Sequence, residues 1–493
     1  MRMSWSLCRR CARAVAPPIF SCVLGAGSCS AEAPGGPTAP PKESQGIQCL
    51  SADFPPRPRS DCVIRPEPPT PCDLPDGAVR VTDAVELKDA LARGSAQDII
   101  LADGVYDDDS AFASAAPHRL WGETLGGAVL STGIMFNEGY GPEVHCLTFD
   151  VDSGSKGGAE DSIISTRGSA DGLRVTDSVF DGHGKMRRGV ITRAFHGVHL
   201  QRLVMKNFRN DAIRIVTGGQ DLSDQERIAD PPVYIGDVDI AHIRDSNPDC
   251  CNGRSEFGIL LGTLGLVERI KVRDTDWSCI VPAGRSWGSV LRDLDLDGCG
   301  RAGVYLEHRT AYTTVEYFRI GPDTRVGVNL EGGQPHWNRD DPRWNWKAIG
   351  PGNVIQHGAI DSQAWGVNVA PCNAETTVQN VTFLNQCVTG ILNGAAVRSQ
   401  SCPASRPGGG TSADSNIYSD NDFSGIGPHA VPILDEGWRA ARKRCTSTSY
   451  SRKPFSTAST RGSNVFSICA KPPNFSGSIS SDGIECRKQN DGQ

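Results

Sequence analysis

The sequence lacks most of the features that define membrane proteins, helical bundles and nucleic-acid-binding proteins. After the first thirty of its 493 residues, it has no uncharged apolar run of the roughly 18 residues that a membrane-spanning helix needs. Aromatic residues make up only 6% of the chain, and the 50 lysine and arginine residues are outnumbered by 57 aspartate and glutamate residues. A polytopic membrane protein is therefore excluded, and no nucleic-acid partner is expected, because affinity for nucleic acid depends mainly on clustered basic residues.

Glycine and proline, by contrast, are abundant, with 55 and 32 residues respectively. This proportion favours many turns and short strands over long helices. With 38% apolar residues, the chain is also long enough to bury a substantial core. The composition therefore predicts a folded protein built mainly from β-strands.

Residues 1–31 have the composition of a signal peptide. Four arginines precede an uncharged stretch at 14–24, and small residues fill positions 25–31. The run Ala26-Gly27-Ser28-Cys29 resembles the lipobox of bacterial lipoproteins, in which the cysteine after the cut carries the lipid. Two outcomes remain open, lipidation of Cys29 and simple cleavage near Ala31. We expect an exported bacterial protein, either secreted or held at the outer membrane or cell surface, with that lipid as its only membrane contact.

The cysteines after this leader predict disulfide bonds. Fourteen remain, an even number, and none forms the Cys-x2-Cys pair that a zinc site needs. Cys250 and Cys251 are adjacent and cannot chelate a metal in that manner. An exported chain with this pattern is expected to be cross-linked, although the spacing alone does not give the pairs.

Composition divides the rest of the chain into three parts. Residues 32–78 are rich in proline and predict an extended, semi-rigid linker. A second interpretation is that its cysteines, Cys49, Cys62 and Cys72, pin part of it onto the next domain. Residues 79–435 are expected to form the folded domain, and residues 436–493, which contain three cysteines, a C-terminal tail or cap.

The folded domain begins with a predicted helix. In residues 82–93, Asp83 followed by Glu86 has the pattern of a capping box, and apolar residues recur at helical spacing. The apolar stretch at 99–106 then predicts a buried strand that ends in Gly104. This helix is expected to cover the open end of the domain.

Beyond about residue 145 the sequence repeats itself. A Gly-Val-x-Leu-like element starts at Gly303 and again 24 residues later at Gly327, and strands of period two lie between such elements. The glycines that start these elements are Gly197, Gly258, Gly303, Gly327, Gly366 and Gly390. A unit of about 24 residues that is nearly all strand and turn can bury its apolar face only by stacking on copies of itself. The sequence therefore predicts an all-β parallel solenoid, right-handed because parallel crossovers strongly prefer that hand.

With this coil period and pattern, the chain resembles the right-handed parallel β-helix proteins of the pectin-lyase-like superfamily, with their PbH1 repeats. The resemblance covers about residues 80–430 and is specific for the fold. It implies that the helix at 82–93 is the N-terminal cap. It also implies an extracellular polysaccharide as partner, whereas the Arg-x-Pro-x-x-Arg string of classical pectate lyases is absent.

Two glutamates are the main candidate site. In the strand at 303–307, Val304 and Leu306 should point inward, leaving Tyr305 and Glu307 outside. One coil later Tyr305 should stack on Asn329 and Glu307 on Glu331, about 4.8 Å apart. Repulsion should raise the pKa of one carboxyl group, unless a cation intervenes. The pair could bind Ca²⁺ or divide acid and base roles, and the third interpretation is a surface ladder whose charges a basic residue such as Arg309 neutralises.

The segment after Glu331 is the second candidate. Between 334 and 347 it contains three tryptophans and two adjacent aspartates, namely Trp337, Trp344, Trp346, Asp340 and Asp341. Exposed tryptophan faces beside polar groups suit sugar rings, so this segment is expected to form one wall of a cleft. The alternative is that the indoles simply cover the edges of coils.

Together these features predict an exported β-helix protein that binds or cleaves an extracellular polysaccharide, as a polysaccharide lyase or a glycoside hydrolase. The candidate catalytic residues are Glu307, Glu331, His308 and Arg309, and Tyr305 and Asn329 join the Trp-rich segment in binding substrate. Arg214 is a further residue that is expected to point outward, and we interpret it as a surface residue. The competing hypothesis is a non-catalytic surface or adhesin-like protein, because the same solenoid serves both classes.

Overall fold

The computed structural model describes residues 63–137, 139–166, 171–193, 197–216, 233–244, 256–283, 286, 288–307, 310–331, 352–369, 373, 376–393, 416–426 and 430–435. The leader with Cys29 and the segment 436–493 lie outside these residues, so their assignments stay predictions. Within the described part, no helix has the length and apolar character needed to cross a membrane. The described chain is instead mostly strand and turn, with one helix, α1 (Ala84–Leu91), and one 3₁₀ turn at Gly154–Lys156.

The strands of the described residues form two sheets. The first sheet contains β1 (Val79–Val81), β2 (Asp98–Leu101), β3 (Gly104–Tyr106), β5 (Arg119–Gly122), β6 (Ala128–Leu130), β8 (Glu143–His145), β9 (Thr148–Asp150), β11 (Arg174–Asp181), β13 (His199–Phe208), β15 (Val233–Ile243), β17 (Gly265–Thr275), β19 (Val290–Cys299), β21 (Thr314–Ile320), β23 (Val354–Ile360), β25 (Thr377–Leu384), β27 (Ile417–Ser419) and β28 (Asp422–Gly425). The second sheet contains β4 (Phe112–Ser114), β7 (Ile134–Phe136), β10 (Ser162–Thr166), β12 (Arg188–Thr192), β14 (Asp211–Ile215), β16 (Phe257–Leu261), β18 (Ser278–Pro282), β20 (Ala302–Leu306), β22 (Val326–Leu330), β24 (Trp365–Val369), β26 (Thr389–Asn393) and β29 (Val431–Asp435).

Strands in both sheets pair in parallel with the equivalent strands of the next coil. In the second sheet Val304 pairs with Val328, and Val328 with Val367, so that equivalent inward residues stack from coil to coil. These side chains are fully buried in one continuous core. The parallel β-helix predicted from the repeat is confirmed.

The capping helix is confirmed as well. Asp83 accepts hydrogen bonds from the backbone N–H groups of Val85 and Glu86, and the Glu86 carboxylate reaches back to the backbone N–H of Thr82. One detail of the first coil differs from the prediction. The stretch at 99–106 is two strands, β2 and β3, because the chain turns at Ala102 and Asp103, and Gly104 begins the second strand.

The repeated glycine has a packing role. A Cβ atom on Gly327 would lie 2.4 Å from the carbonyl oxygen of Gly366 and 2.4 Å from a methyl group of Ile360. Gly303 and Gly366 face the same combination of a neighbouring carbonyl group and a core side chain. The second-sheet strands β20, β22 and β24 therefore need glycine where they approach side chains of the first sheet.

We expect Gly327→Ala to lower the free energy of unfolding by about 1–3 kcal/mol, because overpacked cores must shift backbone or side chains. The control is Gly94→Ala, since a Cβ atom there meets nothing within 4 Å. Urea denaturation of both variants checks this, and equal midpoints for the two would contradict the packing role.

The strands of the first sheet bend at one residue per coil. At this position residues that are not glycine adopt left-handed backbone angles, with φ between 50° and 57°. We call the stack of these residues the bend column; it consists of Cys146, Asp177, Arg202, Asp237, Arg269, Asp293, Tyr317, His357 and Asn380. It turns the outer surface of the first sheet through a corner.

A proline-rich strap, residues 63–72, lies along the bend column. The backbone N–H of Thr70 donates to Asp177 at 2.8 Å, and that of Glu67 donates to Asp237 at 3.2 Å. A disulfide joins Cys72 to Cys146, the first residue of the column. Cys72 thereby pins this part of the segment onto the domain, the second of the two interpretations that composition left open.

Two aspartates of the bend column have pKa values that are shifted in opposite directions. Burial raises the pKa of Asp293 to about 6, against the opposing charge of Arg292. Burial also acts to raise the pKa of Asp177, but hydrogen bonds from Arg202 and Thr70 outweigh it and hold that pKa at about 2. Both carboxyl groups have an ordinary value of 3.8.

Stability should therefore depend on pH in opposite ways at these two positions. Asp293 contributes stability below its unfolded pKa, and this contribution is lost as the pH rises toward about 6. Asp177 contributes stability above its unfolded pKa, and this is lost as the pH falls through about 2. The free energy of unfolding of Asp293→Asn should therefore rise relative to that of the wild type as the pH increases from 4 to 6. Asp177→Asn should be less stable than the wild type at pH 7. Urea midpoints across this range test it, and a flat difference for Asp293→Asn would refute it.

Candidate functional site

The strand β20 alternates as the sequence predicts. Val304 and Leu306 lie in the core, and Tyr305 lies on the outer side, in register with Asn329 of β22. Asn329 is in turn in register with Asn368 of β24, whose side-chain amide donates to the Asn329 oxygen at 2.6 Å. The predicted column of outward residues is therefore present.

The ring of Tyr305 is covered. It is only 1% exposed and belongs to a second apolar cluster on the outer side of the second sheet. The guanidinium carbon of Arg301 lies 4.3 Å from the ring centroids of both Tyr305 and Trp277. The Tyr305 hydroxyl group donates to the Glu331 carboxylate and accepts from Arg301 at 3.3 Å. Tyr305 therefore faces the site through its hydroxyl group and not through its ring.

Glu307 and Glu331 directly follow β20 and β22, in adjacent coils. The backbone N–H of Glu307 donates to the carbonyl oxygen of Pro282, and that of Glu331 donates to the carbonyl oxygen of Leu306, each at 2.9 Å. The backbone hydrogen-bond pattern of the second sheet thus continues one residue beyond β20 and β22. The two backbones are one coil apart, about 4.8 Å.

The two carboxyl groups have different surroundings. Burial raises the pKa of Glu307, while the charges of Arg301 and, more weakly, Arg214 act to lower it. Among the residues that the structure describes, no hydrogen bond or ion pair engages the Glu307 carboxyl group, whereas Glu331 accepts the Tyr305 hydroxyl group. Glu331 is not among the charges that shift Glu307, so burial, and not the mutual repulsion we expected, is the cause.

Two arginines act on the carboxyl group of Glu307, because the charges of Arg301 and Arg214 both act to lower its pKa. The carboxylate of Glu331 accepts a hydrogen bond from the Tyr305 hydroxyl group.

A buried ionic cluster lies on the same outer face, toward the N-terminal coils. Asp211 is completely buried and accepts from Arg188 at 2.9 Å and from Arg214 at 3.1 Å. Arg188, which is 3% exposed, also donates to Glu160 at 2.7 Å. Asp211 therefore fixes the direction of Arg214, whose charge acts on Glu307.

Several predicted site residues lie outside the described residues. They are His308 and Arg309, which directly follow Glu307 in the chain, and Trp337, Asp340, Asp341, Trp344 and Trp346, which come later in the segment after Glu331. Sequence reasoning missed Arg301 and Trp277. Both occupy the position just before a second-sheet strand, which is a signal only once the register of the coils is known.

One further group in the described part of the chain has the composition of a metal site. Ligand atoms of Asp150, Asp181 and His183 lie within 4.8 Å of one another on the first sheet. They are already engaged, because His183 contacts Asp150 and the Lys206 ammonium group lies 3.0 Å from Asp181. The group is partly exposed and is explained as a surface ion network.

No protein-family model and no curated protein matches this chain. Among solved structures, it is similar to a mannuronic acid specific polysaccharide family 6 lyase from human gut microbiota, with 13% identity, 74% of this chain and 83% of the other covered, and a TM-score of 0.44. A PL6 family polysaccharide lyase from Pseudopedobacter saltans has 14% identity, 78% and 92% coverage and a TM-score of 0.42. The A-module of a mannuronan C-5 epimerase from Azotobacter vinelandii has 10% identity, 73% and 96% coverage and a TM-score of 0.31. The residue roles below rest on this chain alone.

Proposed function

We propose that this protein cleaves an extracellular polysaccharide on the outer face of its second sheet, by lyase- or glycosidase-type chemistry. The observation that carries the proposal is the pair of carboxyl groups in adjacent coils with different surroundings. Burial favours the protonated form of Glu307, and the carboxylate of Glu331 accepts a hydrogen bond from the Tyr305 hydroxyl group. Pairs of titratable groups whose environments separate their pKa values are typical of acid–base catalysts.

In this proposal Glu307 is the general acid and gives its proton to the oxygen of the breaking glycosidic bond. Glu331 is the base: it takes a proton from the attacking water in hydrolysis, or from the sugar carbon next to a carboxylate in elimination. Arg301 and Arg214 supply positive charge that stabilises negative charge on the substrate. Tyr305 orients Glu331 through its hydroxyl group.

The segment after Glu331 completes the proposed site. Trp337, Trp344 and Trp346, with Asp340 and Asp341, would bind sugar rings beside the glutamates, and His308 and Arg309 would add polar groups at the same end of the strands. Export through the leader at 1–31, with or without a lipid on Cys29, would bring the protein to such a substrate. Disulfides at Cys72–Cys146 and Cys279–Cys299 support an oxidising compartment.

The test is an activity assay on a panel of polyuronates and neutral glycans, read as unsaturated products or new reducing ends. We expect Glu307→Gln and Glu331→Gln each to reduce the rate at least 100-fold, because general acid–base catalysis contributes about 10²–10⁴. Glu316→Gln is the matched control: it lies on β21, between β20 and β22 in the chain, but on the opposite sheet.

Two outcomes would contradict the proposal. Full activity in Glu307→Gln would show that Glu307 is not the general acid, whatever the substrate. No product and no binding across the panel, in wild-type protein with intact disulfides, would favour the non-catalytic surface protein.

A further inference from the structure

Two pairs of stacked rings lie on the outer face of the first sheet, on the N-terminal side of the bend. In adjacent coils, the ring centroids of Trp121 and His145 are 3.9 Å apart, at an interplanar angle of 17°. Two coils further along, His199 and Tyr234 form the second pair, with centroids 4.7 Å apart. Trp121, His199 and Tyr234 are partly exposed, so this face of the sheet offers aromatic surface to solvent.

The ring of Tyr234 lies flat over a glycine of its own strand. A Cβ atom on Gly236 would overlap the Cζ and hydroxyl oxygen atoms of Tyr234. The hydroxyl group donates to Glu268 at 3.1 Å and accepts from Arg269 at 2.8 Å. One face of the ring is therefore held against the sheet, and the exposed part of the ring belongs to the opposite face.

The two histidine rings are held by hydrogen bonds as well. His145 contacts Glu143 through Nε2 and Thr176 through Nδ1, each at 2.8 Å. Nε2 of His199 lies 3.1 Å from the side-chain oxygen of Gln201. Rings that are fixed in advance lose little conformational entropy when a ligand packs on them.

The strap forms a wall beside these rings. It follows the bend column from Asp237 to Cys146, across the coils that carry both histidines and Tyr234. Arg269 joins floor and wall, because its guanidinium group donates to Asp237 and to the Tyr234 hydroxyl group. The result is a trough that crosses the coils along the strap. From Trp121 to Tyr234 it spans four coil steps, about 19 Å.

A free guanidinium group lies in the middle of this trough. Arg174 belongs to β11, the coil between the two ring pairs, and it is exposed. Among the residues that the structure describes, no hydrogen bond or ion pair engages its side chain. The neighbouring carboxylates already have partners, since Glu143 contacts His145 and Asp177 pairs with Arg202. Arg174 is therefore available to an anionic group from outside the protein.

We propose that this trough is a second, non-catalytic binding site, and that its ligand is a saccharide chain that carries a carboxylate. Sugar rings have apolar C–H faces, which pack on aromatic rings, and polar edges, which need hydrogen-bond partners. The two ring pairs stack on sugars at either end, and the Arg174 guanidinium group donates to the carboxylate between them. The site lies on the opposite sheet from Glu307 and Glu331, so it is independent of the proposed catalysis.

Native electrophoresis in gels that contain a polysaccharide tests this site. The probes are alginate, polygalacturonate, hyaluronan and carboxymethylcellulose, with uncharged hydroxyethylcellulose as the comparison. The full-length, oxidised protein carries Glu307→Gln and Glu331→Gln, which remove the proposed cleavage. We expect at least one acidic probe to slow this protein more than hydroxyethylcellulose does. Arg174→Ala should raise the dissociation constant for that probe about tenfold, because it removes charge-assisted hydrogen bonds.

Tyr234 supplies a matched pair of variants. Tyr234→Leu should raise the dissociation constant about fivefold, because it removes the stacking ring. Tyr234→Phe keeps the ring and loses only the hydroxyl contacts, so it should bind as the starting protein does. Tyr312→Ala is the surface control, since Tyr312 is 57% exposed and directly precedes the coil of β21, beyond the trough. Thermal melting shows that each variant is folded.

The proposal is overturned if no acidic probe slows the protein, or if hydroxyethylcellulose slows it equally. Unchanged binding in Arg174→Ala or in Tyr234→Leu would place the contact elsewhere on the surface. Equal losses in Tyr234→Leu and Tyr234→Phe would show that the hydroxyl contacts, and not the ring, are responsible.

Discussion

Asp211→Ala is expected to lower the free energy of unfolding by about 3–5 kcal/mol, because removing one partner of a buried ion pair leaves the other charge uncompensated. Arg188 is 3% exposed and would keep only Glu160, a partner whose side chain is 41% exposed. Arg214 would lose its partner too, but its side chain is 26% exposed and can turn to water. The measurement is guanidinium denaturation at neutral pH.

The control for this prediction removes both buried charges. Arg188→Met combined with Asp211→Leu should cost much less than Asp211→Ala alone, since a buried ion pair can often be replaced by apolar residues of similar volume with little loss. If the double variant is as unstable as the single one, the loss of stability is caused by a change in packing at this position and not by an uncompensated charge. The single variant should also reduce activity, because Arg214 would no longer be directed along the outer face.

Removal of the Cys72–Cys146 disulfide should have an effect of similar size. Its partners are 74 residues apart, for which loop-closure entropy gives about 4 kcal/mol. The loss should exceed that for Cys279–Cys299, whose separation of 20 residues corresponds to about 3 kcal/mol. Releasing Cys72 also frees the end of the strap, so the bonds from Thr70 and Glu67 to buried aspartates become easier to break.

Paired alanine variants of each disulfide, compared by guanidinium denaturation under oxidising conditions, measure this difference. Alanine avoids a lone thiol and keeps the Cβ atom at the left-handed position of Cys146. A larger loss for Cys279–Cys299 than for Cys72–Cys146 would contradict the prediction.

The sequence could predict the second sheet well. Its repeat predicts the register of β20, β22 and β24, because glycine stands where each of these strands approaches the first sheet and apolar residues occupy the two inward positions. This is why a spacing of 24 residues placed Glu307 and Glu331 in adjacent coils. The register was predictable here because the same packing recurs in these three neighbouring coils.

Other features left little trace in the sequence. The strap is held by backbone N–H groups, which every residue except proline has. For this reason no pattern of side chains in the sequence indicates it. The left-handed bends use Arg202, Arg269 and Tyr317, which are not turn-forming residues, as well as aspartates. The raised pKa of Glu307 depends on burial around Tyr305 and Arg301, and on Arg214 three strands away.

The direction of the strap determines how the protein would bear a mechanical load. Tension applied to the chain upstream of residue 63 runs along the strap, in shear across its hydrogen bonds, and reaches Cys72. There the covalent bond passes the force to Cys146. The capping helix and the first strands, which lie between these two cysteines in the chain, are bypassed and carry none of it.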